Sequence, residues 1–211
     1  MGKSVKTFLF LLILGLLAAA QTVYADEVYE IKELGLKVSL PGDHGLAVIT
    51  RDEATHSDQE LADDFNLTVD LKELREGMKT DQAYLLAFSS DWLFDLSIQY
   101  MKGLRLPNIR DYREVDEAEL QRLADQAAEL SKKRDPNFES YPEAVQRTPT
   151  AVFYRTLSAY APEDGEKFYN YLYMTVHNDR LITLTFRCDS RDELMKQKNL
   201  QTKILDSLVF D

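Results

Sequence analysis

The hydrophobic pattern is most regular between Phe168 and Arg187, FYNYLYMTVHNDRLITLTFR. Phe168, Leu172, Met174 and Val176 fall on one side of an alternating run, and Tyr169, Tyr171, Tyr173 and Thr175 on the other. After His177-Asn178-Asp179 the alternation resumes, with Ile182, Leu184 and Phe186 set against Thr183, Thr185 and Arg187. Period-two alternation of β-branched and aromatic residues marks strands, and the polar interruption marks a hairpin bend. Paired residues share a face of the sheet. A two-residue bend sets Tyr173 opposite Leu184 and Met174 opposite Thr183, which mixes the faces. A three-residue bend sets Met174 opposite Ile182, Leu172 opposite Leu184 and Tyr171 opposite Thr185. The three-residue bend is therefore predicted, as a type I turn with Asp179 left-handed. Large side chains on both faces predict helices on both sides of the sheet.

The rest of the chain supplies strands and helices in alternation. Val28 to Leu40 reads as extended, with Leu34, Leu36, Val38 and Leu40 on one face, Gly35 at a bulge or bend and Pro41-Gly42 at the end. Leu46 to Thr50 is a short strand. Ser57 and Glu60 have capping-box spacing for a short helix with Leu61 and Phe65 inward. Thr68 can cap a further helix bearing Leu71, Leu74 and Met78, with Gly77 near its end. Tyr84 to Phe88 and Trp92 to Tyr100 read as a second hairpin, turning near Ser89-Ser90-Asp91. Asp116 and Glu119 open a long helix with the stripe Leu120, Leu123, Ala124, Ala127 and Leu130, closed by Pro136. A loop is predicted to about Thr148, then a strand over Ala151 to Ala161 and a turn at Pro162-Glu163-Asp164-Gly165. Ser190 and Glu193 open a last helix with Leu200, Ile204 and Leu208 at four-residue spacing, and Val209-Phe210 can add a terminal strand. Strands in hairpins with helices between them make an α+β domain around an antiparallel sheet.

The N-terminal residues read as an address. Lys3 and Lys6 precede an apolar run, Phe8 to Ala20, that is short for a bilayer span. Val23-Tyr24-Ala25 places small residues where a signal peptidase reads, with Ala18-Ala19-Ala20 as a second site. Residues 1–25 are thus expected to be a removed signal peptide and 26–211 a single exported domain, extracellular or in the cell envelope. No stable membrane span is expected after cleavage. Lys3 and Lys6 are the segment's only charges, so its loss takes the formal charge from −11 to −13. That charge argues against nucleic acid and anionic lipid as partners, because phosphates need a basic footprint. Cys188 is the only cysteine, so no intramolecular disulfide can form, and its place at the end of an apolar strand suits a small buried residue.

Two groups of residues carry candidate chemistry. Asp52, Glu53, His56, Asp58, Glu60, Asp63 and Asp64 form the densest set of hard ligands, of the kind calcium takes, but no cofactor is expected, and His56 has no His or Cys at zinc-ligand spacing beside it. Their spacing matches no EF-hand loop, and a solvated segment with helix-capping acids is the simpler reading. Tyr169, Tyr171 and Tyr173 could line a ligand groove or partner patch, as Tyr is enriched at such surfaces. The simpler reading there is a covering helix, with the hydroxyls reaching the sheet rim. His44, His56 and His177 fall in predicted loops or turns, and neither Gly-x-Ser-x-Gly nor His-Glu-x-x-His supports a catalytic role for them.

Leu34-Gly35-Leu36-Lys37-Val38-Ser39-Leu40-Pro41 followed by Val48-Ile49-Thr50-Arg51-Asp52 resembles the opening of a group of uncharacterised exported proteins from Gram-positive bacteria. The closing Ile204-Leu205-Asp206-Ser207-Leu208-Val209-Phe210-Asp211 resembles their ending. The central hairpin running into a helix that ends Asp-Ser-hydrophobic-x-Phe is also similar to the Mog1p/PsbP-like α/β/α sandwich. The resemblance implies an antiparallel sheet with helices on both faces and a binding or assembly scaffold, without carrying over any functional residue. The first functional reading is therefore a non-catalytic binding or assembly module at the cell envelope, whose partner is an unidentified protein or small ligand. A metal-assisted hydrolase using residues 52–64 is the alternative, and a structural accessory subunit a third.

Overall fold

The computed structural model describes residues 26–91, 94–101, 109–134, 137–161 and 167–211. The expected signal segment, Trp92, Pro136 and the turn at 162–165 lie outside the described residues. In chain order the elements are β1 (Glu27–Ile31), β2 (Leu36–Leu40), β3 (Ala47–Thr50), α1 (Asp58–Phe65), α2 (Leu71–Thr80), β4 (Ala83–Phe88) and β5 (Asp95–Tyr100). There follow α3 (Glu117–Arg134), β6 (Phe138–Arg147), β7 (Val152–Tyr160), β8 (Phe168–His177), β9 (Arg180–Cys188), α4 (Arg191–Lys196), α5 (Lys198–Ser207) and β10 (Val209–Phe210).

Seven strands form an antiparallel sheet in the order β3-β4-β5-β9-β8-β7-β6, with β8 and β9 inside it. The hairpin joining them bends differently from the sequence expectation. His177 pairs with Arg180, so the loop is the two residues Asn178 and Asp179, both left-handed at φ 49° and 62°. Two consecutive positive φ values make a type I′ turn, whose twist matches that of the flanking strands, and Asn and Asp accept that conformation more readily than most residues. The pairing is accordingly Tyr173 with Leu184, Met174 with Thr183 and Tyr171 with Phe186. The three-residue register fails because it treated the Tyr row as the polar face. The tyrosines belong with Leu184 and Phe186, in the main core.

That core lies on one face of the large sheet. Tyr171, Tyr173, Ile182, Leu184 and Phe186 pack there with Leu85, Leu96, Ile98 and Phe153. It is covered by α4 and α5 through Leu194, Leu200, Ile204 and Leu205, and by a second sheet in the order β1-β2-β10. β1 and β2 are the arms of a hairpin rather than one extended run. A single helical turn at Lys32–Leu34 and left-handed Gly35, φ 59°, reverse the chain between them. The expected last helix is broken at Gln197 into α4 and α5, and Ser190 caps its start by accepting the Glu193 N–H at 3.2 Å.

Three helices cover the other face in two places. Leu61 and Phe65 of α1 and Met78 of α2 pack on Ala47, Ile49 and Phe88. Ser57 and Glu60 form the anticipated capping box, whereas α2 is capped by Asp70 in place of Thr68. Leu120 and Ala124 of α3 pack on Val152, Tyr154, Val176 and Leu181. The rest of the stripe predicted for α3 is not buried with them, and Leu130 is 66% exposed. Between the two clusters the face is mainly polar. Asp95, Arg187, Asn170 and Ser158 lie in one row across four strands, and Ser97, Thr185, Leu172 and Thr156 in the next. Residues 138–147, expected as a loop, are the edge strand β6. Pro142 is tolerated there because it sits at an edge and beside a bulge. The architecture is α+β, an antiparallel sheet with helices on both faces.

Candidate functional site

The Tyr row threads from the buried interior to a recess at the surface. Tyr173 is 1% exposed, its ring meets Phe186 edge-on at 5.6 Å, and its hydroxyl donates to Gln201 Oε1 at 3.4 Å. Gln201 in turn donates to the Leu194 carbonyl at 3.1 Å, tying α5 to α4. Tyr171 lies closer to the rim, where its hydroxyl contacts Met195 Sδ at 3.0 Å. Tyr169 is half-buried against the same core, with Lys167 Nζ 5.5 Å from its ring. The Tyr171 and Tyr173 rings are thus core and each hydroxyl finds a partner, as amphipathic aromatics do when buried. Burial raises the pKa of Tyr171 and of Tyr173, with Arg155 opposing it in both cases. Both hydroxyls are therefore protonated donors at neutral pH.

The recess beside Tyr171 has a volume of about 380 Å³ and is lined by Glu143, Arg155, Tyr171, Arg191, Met195 and Lys198. Glu143 comes from the bulge in β6, Arg155 from the middle of β7, and the last three from α4 and the start of α5. The Arg155 guanidinium sits 5.1 Å from the Tyr171 ring centroid and pairs through Nη2 with Glu143 at 3.0 Å. Its side chain is 18% exposed, and its buried Nε–H meets no acceptor among the described residues. A buried donor left unmatched costs about 1–3 kcal/mol. Arg191 and Lys198 are exposed and form no ion pair among the described residues. Among the described residues three cations thus face one carboxylate over an aromatic floor, on a chain of formal charge −11. This chemistry suits an anion.

Arg155, Arg191, Met195, Lys198 and Glu143 were not among the residues singled out from sequence. One signal was available. Arg155 is the only charge in the strand VFYRTLSAY, and a lone arginine in a strand buried on both faces requires a partner.

The acidic segment takes a different form. Asp52 and Glu53 lie in the turn after β3, where the Glu53 carbonyl accepts the Thr50 N–H at 2.8 Å. His56 Nδ1 is 2.8 Å from Thr55 Oγ1, and its ring packs edge-on against Phe65 at 4.8 Å. Asp58 accepts the Leu71 N–H at 3.3 Å, Glu60 closes the capping box, and Asp63 accepts from Gln59 at 2.8 Å. Among the described residues no three His, Cys, Asp or Glu side chains come together as a metal-binding group. His177 is not the loop residue expected. It is buried, with Nδ1 3.1 Å from Asp111 Oδ2 and Nε2 3.1 Å from the Asp211 carbonyl, and its ring lies 4.8 Å from that of Phe210. Cys188 is buried too, and burial, helped by the charges of Asp189, Glu193, Asp95 and Asp91, pushes its thiol up to about 12. A thiol held protonated is a poor nucleophile.

Neither a family model nor a curated protein matches this chain. Solved structures do. The solution structure of cyanobacterial PsbP (CyanoP) from Synechocystis aligns over 91% of this chain and 96% of its own, at 11% identity and a TM-score of 0.52. The fold is therefore PsbP-like. A crystal structure from Bacteroides thetaiotaomicron aligns over 88% of this chain and 48% of its own, at 11% identity and a TM-score of 0.41. The immunity protein TplEi of the Pseudomonas aeruginosa type VI secretion system, solved with a peptide, aligns over 89% and 98%, at 10% identity and a TM-score of 0.36. At those scores the last two carry no argument.

Proposed function

We propose that this chain is an exported, non-catalytic binding or assembly module of the cell envelope, and that it engages its partner at the recess beside Tyr171. The observation that carries this reading is the recess itself. Cations are gathered over an aromatic floor against the net charge of the molecule, where a packed scaffold alone would have no use for them. Lys3, Lys6, the apolar run Phe8 to Ala20 and Val23-Tyr24-Ala25 support the export half of the reading.

One experiment tests both halves. The full chain, expressed in cells that process signal peptides, carries a photo-crosslinking residue in place of either Met195 in the recess or Lys72 on the opposite face of the sheet. The intact mass is expected to begin at Asp26. Adducts with a defined envelope protein are expected from position 195 and not from position 72. Full-length chain beginning at Met1 in the membrane fraction would replace the exported domain with an anchored one. The same adducts from both positions would remove the recess as the site.

A further inference from the structure

The recess can be assigned a ligand class, and this rests on the binding reading just given. We infer that it takes a carboxylate joined to an apolar body, such as an aromatic acid or the acidic and apolar side chains of a peptide. Two features of the walls lead there. The charged wall is Arg155, Arg191 and Lys198, of which, among the described residues, only Arg155 already holds a carboxylate, that of Glu143. A guanidinium presents its N–H donors in a planar fork that matches a carboxylate, and Arg155, committed to Glu143 through Nη2 with its Nε buried, adds its positive charge to the wall while Arg191 and Lys198 supply the exposed donors. The second wall is apolar. The Tyr171 ring, stacked under Arg155, and the Met195 thioether, on a side chain that is 46% exposed, give the ligand's body a surface to cover. Hydration makes a bare inorganic anion indifferent to such a wall, whereas an apolar body gains from it.

Glu143 sets the geometry and the selectivity. It pins Arg155 through Nη2 at 3.0 Å, which orients the fork before a ligand arrives, and it repels an anion approaching from the β6 side. The anion is directed to the other side, between Arg191 and Lys198, the two exposed cations contributed by α4 and α5. These two residues are long and solvated, so their attraction is screened by salt, and binding should weaken as ionic strength rises.

The test uses benzoate as the probe, benzyl alcohol as its uncharged counterpart and inorganic phosphate as an anion without an apolar body. Binding is read as shifts in the backbone amide resonances of the isotope-labelled protein. Benzoate is expected to saturate in the millimolar range, with shifts gathered at Glu143, Arg155, Tyr171, Arg191 and Lys198. Benzyl alcohol and phosphate should each bind more weakly. The double variant Arg191→Gln/Lys198→Gln removes only exposed groups, so its melting temperature should be unchanged while benzoate affinity falls about tenfold. Failure of benzoate to saturate up to its solubility, or equal affinity in the double variant, would overturn the inference. So would phosphate binding tighter than benzoate, which would leave the Tyr171–Met195 wall without a role. Failure here alongside site-specific crosslinks from position 195 would sink the ligand class and leave the binding reading standing. Saturation here without those crosslinks would keep the recess as a small-ligand site and remove the envelope-protein partner.

Discussion

The two faces of the large sheet are made by the same strands and are stabilised in different ways. On the Tyr face, one continuous apolar cluster runs from β4 across to β7 and is roofed by α4, α5 and the small sheet. On the opposite face, two separate clusters sit under α1 and α2 at one end and under α3 at the other, with polar residues between them. Residue type alone would have ranked the faces the other way, because Phe168, Leu172 and Met174 look more like core than three tyrosines do. A tyrosine ring buries as much apolar area as a phenylalanine when its hydroxyl has a partner. Gln201 and Met195 supply those partners for Tyr173 and Tyr171. What covers a face, more than its composition, decides whether it is core.

The largest effects should therefore separate the faces. Leu184→Ala empties a fully buried site between Tyr173 and Ile98, and should cost about 3–5 kcal/mol in chemical denaturation. Tyr171→Ala should cost about 3 kcal/mol or more, for the same reason. Leu172→Ala removes a half-buried side chain whose cross-strand neighbours are Thr185 and Thr156, and about 1 kcal/mol is expected. Equal losses at Leu172 and Leu184 would mean that the second face is packed as tightly as the first.

A smaller effect sits where the hairpin tip meets the chain's closing residues, and it depends on pH. Asp111 is buried, which pushes its carboxyl pKa up, but hydrogen bonds from the Arg113 side chain and backbone, the Arg113 charge and the His177 ring outweigh that and lower it. A carboxyl whose pKa is lower in the folded than in the unfolded state adds stability above its unfolded pKa, about 4. That contribution is lost as pH falls through the lower, folded pKa. Asp111→Asn should thus reduce stability by about 1–3 kcal/mol at neutral pH. It should also shrink the loss between neutral pH and pH 3, the two denaturation curves converging as the acid limit is approached. Parallel curves across that range would show that the Asp111 charge does not hold the tip of β8 and β9 in place.

Much of this fold was legible because the local signals agreed with the tertiary ones. The alternation of β8 and β9, the Ser57–Glu60 box with Leu61 and Phe65 inward, and Val209-Phe210 as a closing strand all survive in the structure. The misreadings share a physical cause, which is that tertiary context overrode a local rule. Residues up to Thr148 are expected as a loop, yet an edge position and a bulge let β6 absorb the N–H that Pro142 lacks. Residues 178 and 179 both went left-handed because the strand twist favours that turn. The recess was not legible, because Glu143, Arg155 and Arg191 come from three elements that only the folded sheet brings together.

The smallest expected effect concerns the acids at the α1 end of the second face. Asp58 and Asp63 already accept hydrogen bonds from Leu71 and Gln59, so recruiting them to a cation would cost the cap that joins α1 to α2 and the helical pair. Asp52 and Glu53 project from an exposed turn, and His56 rests on Phe65. A calcium ion needs six to eight oxygens converging at one point, and these side chains are committed in separate directions. A specific site at a hundredfold excess over its dissociation constant would add about 2.7 kcal/mol, which for a domain of this size is a melting shift of about 5–10 °C. Millimolar calcium is expected to shift the melting temperature by less than about 1 °C, within the range of unspecific effects on a surface of this charge. Asp58→Ala and Asp63→Ala should leave that response unchanged. A clear rise with calcium that both substitutions abolish would make residues 52–64 a metal site, move the candidate functional site to the α1 end of the second face, and strengthen the metal-assisted hydrolase over the binding module.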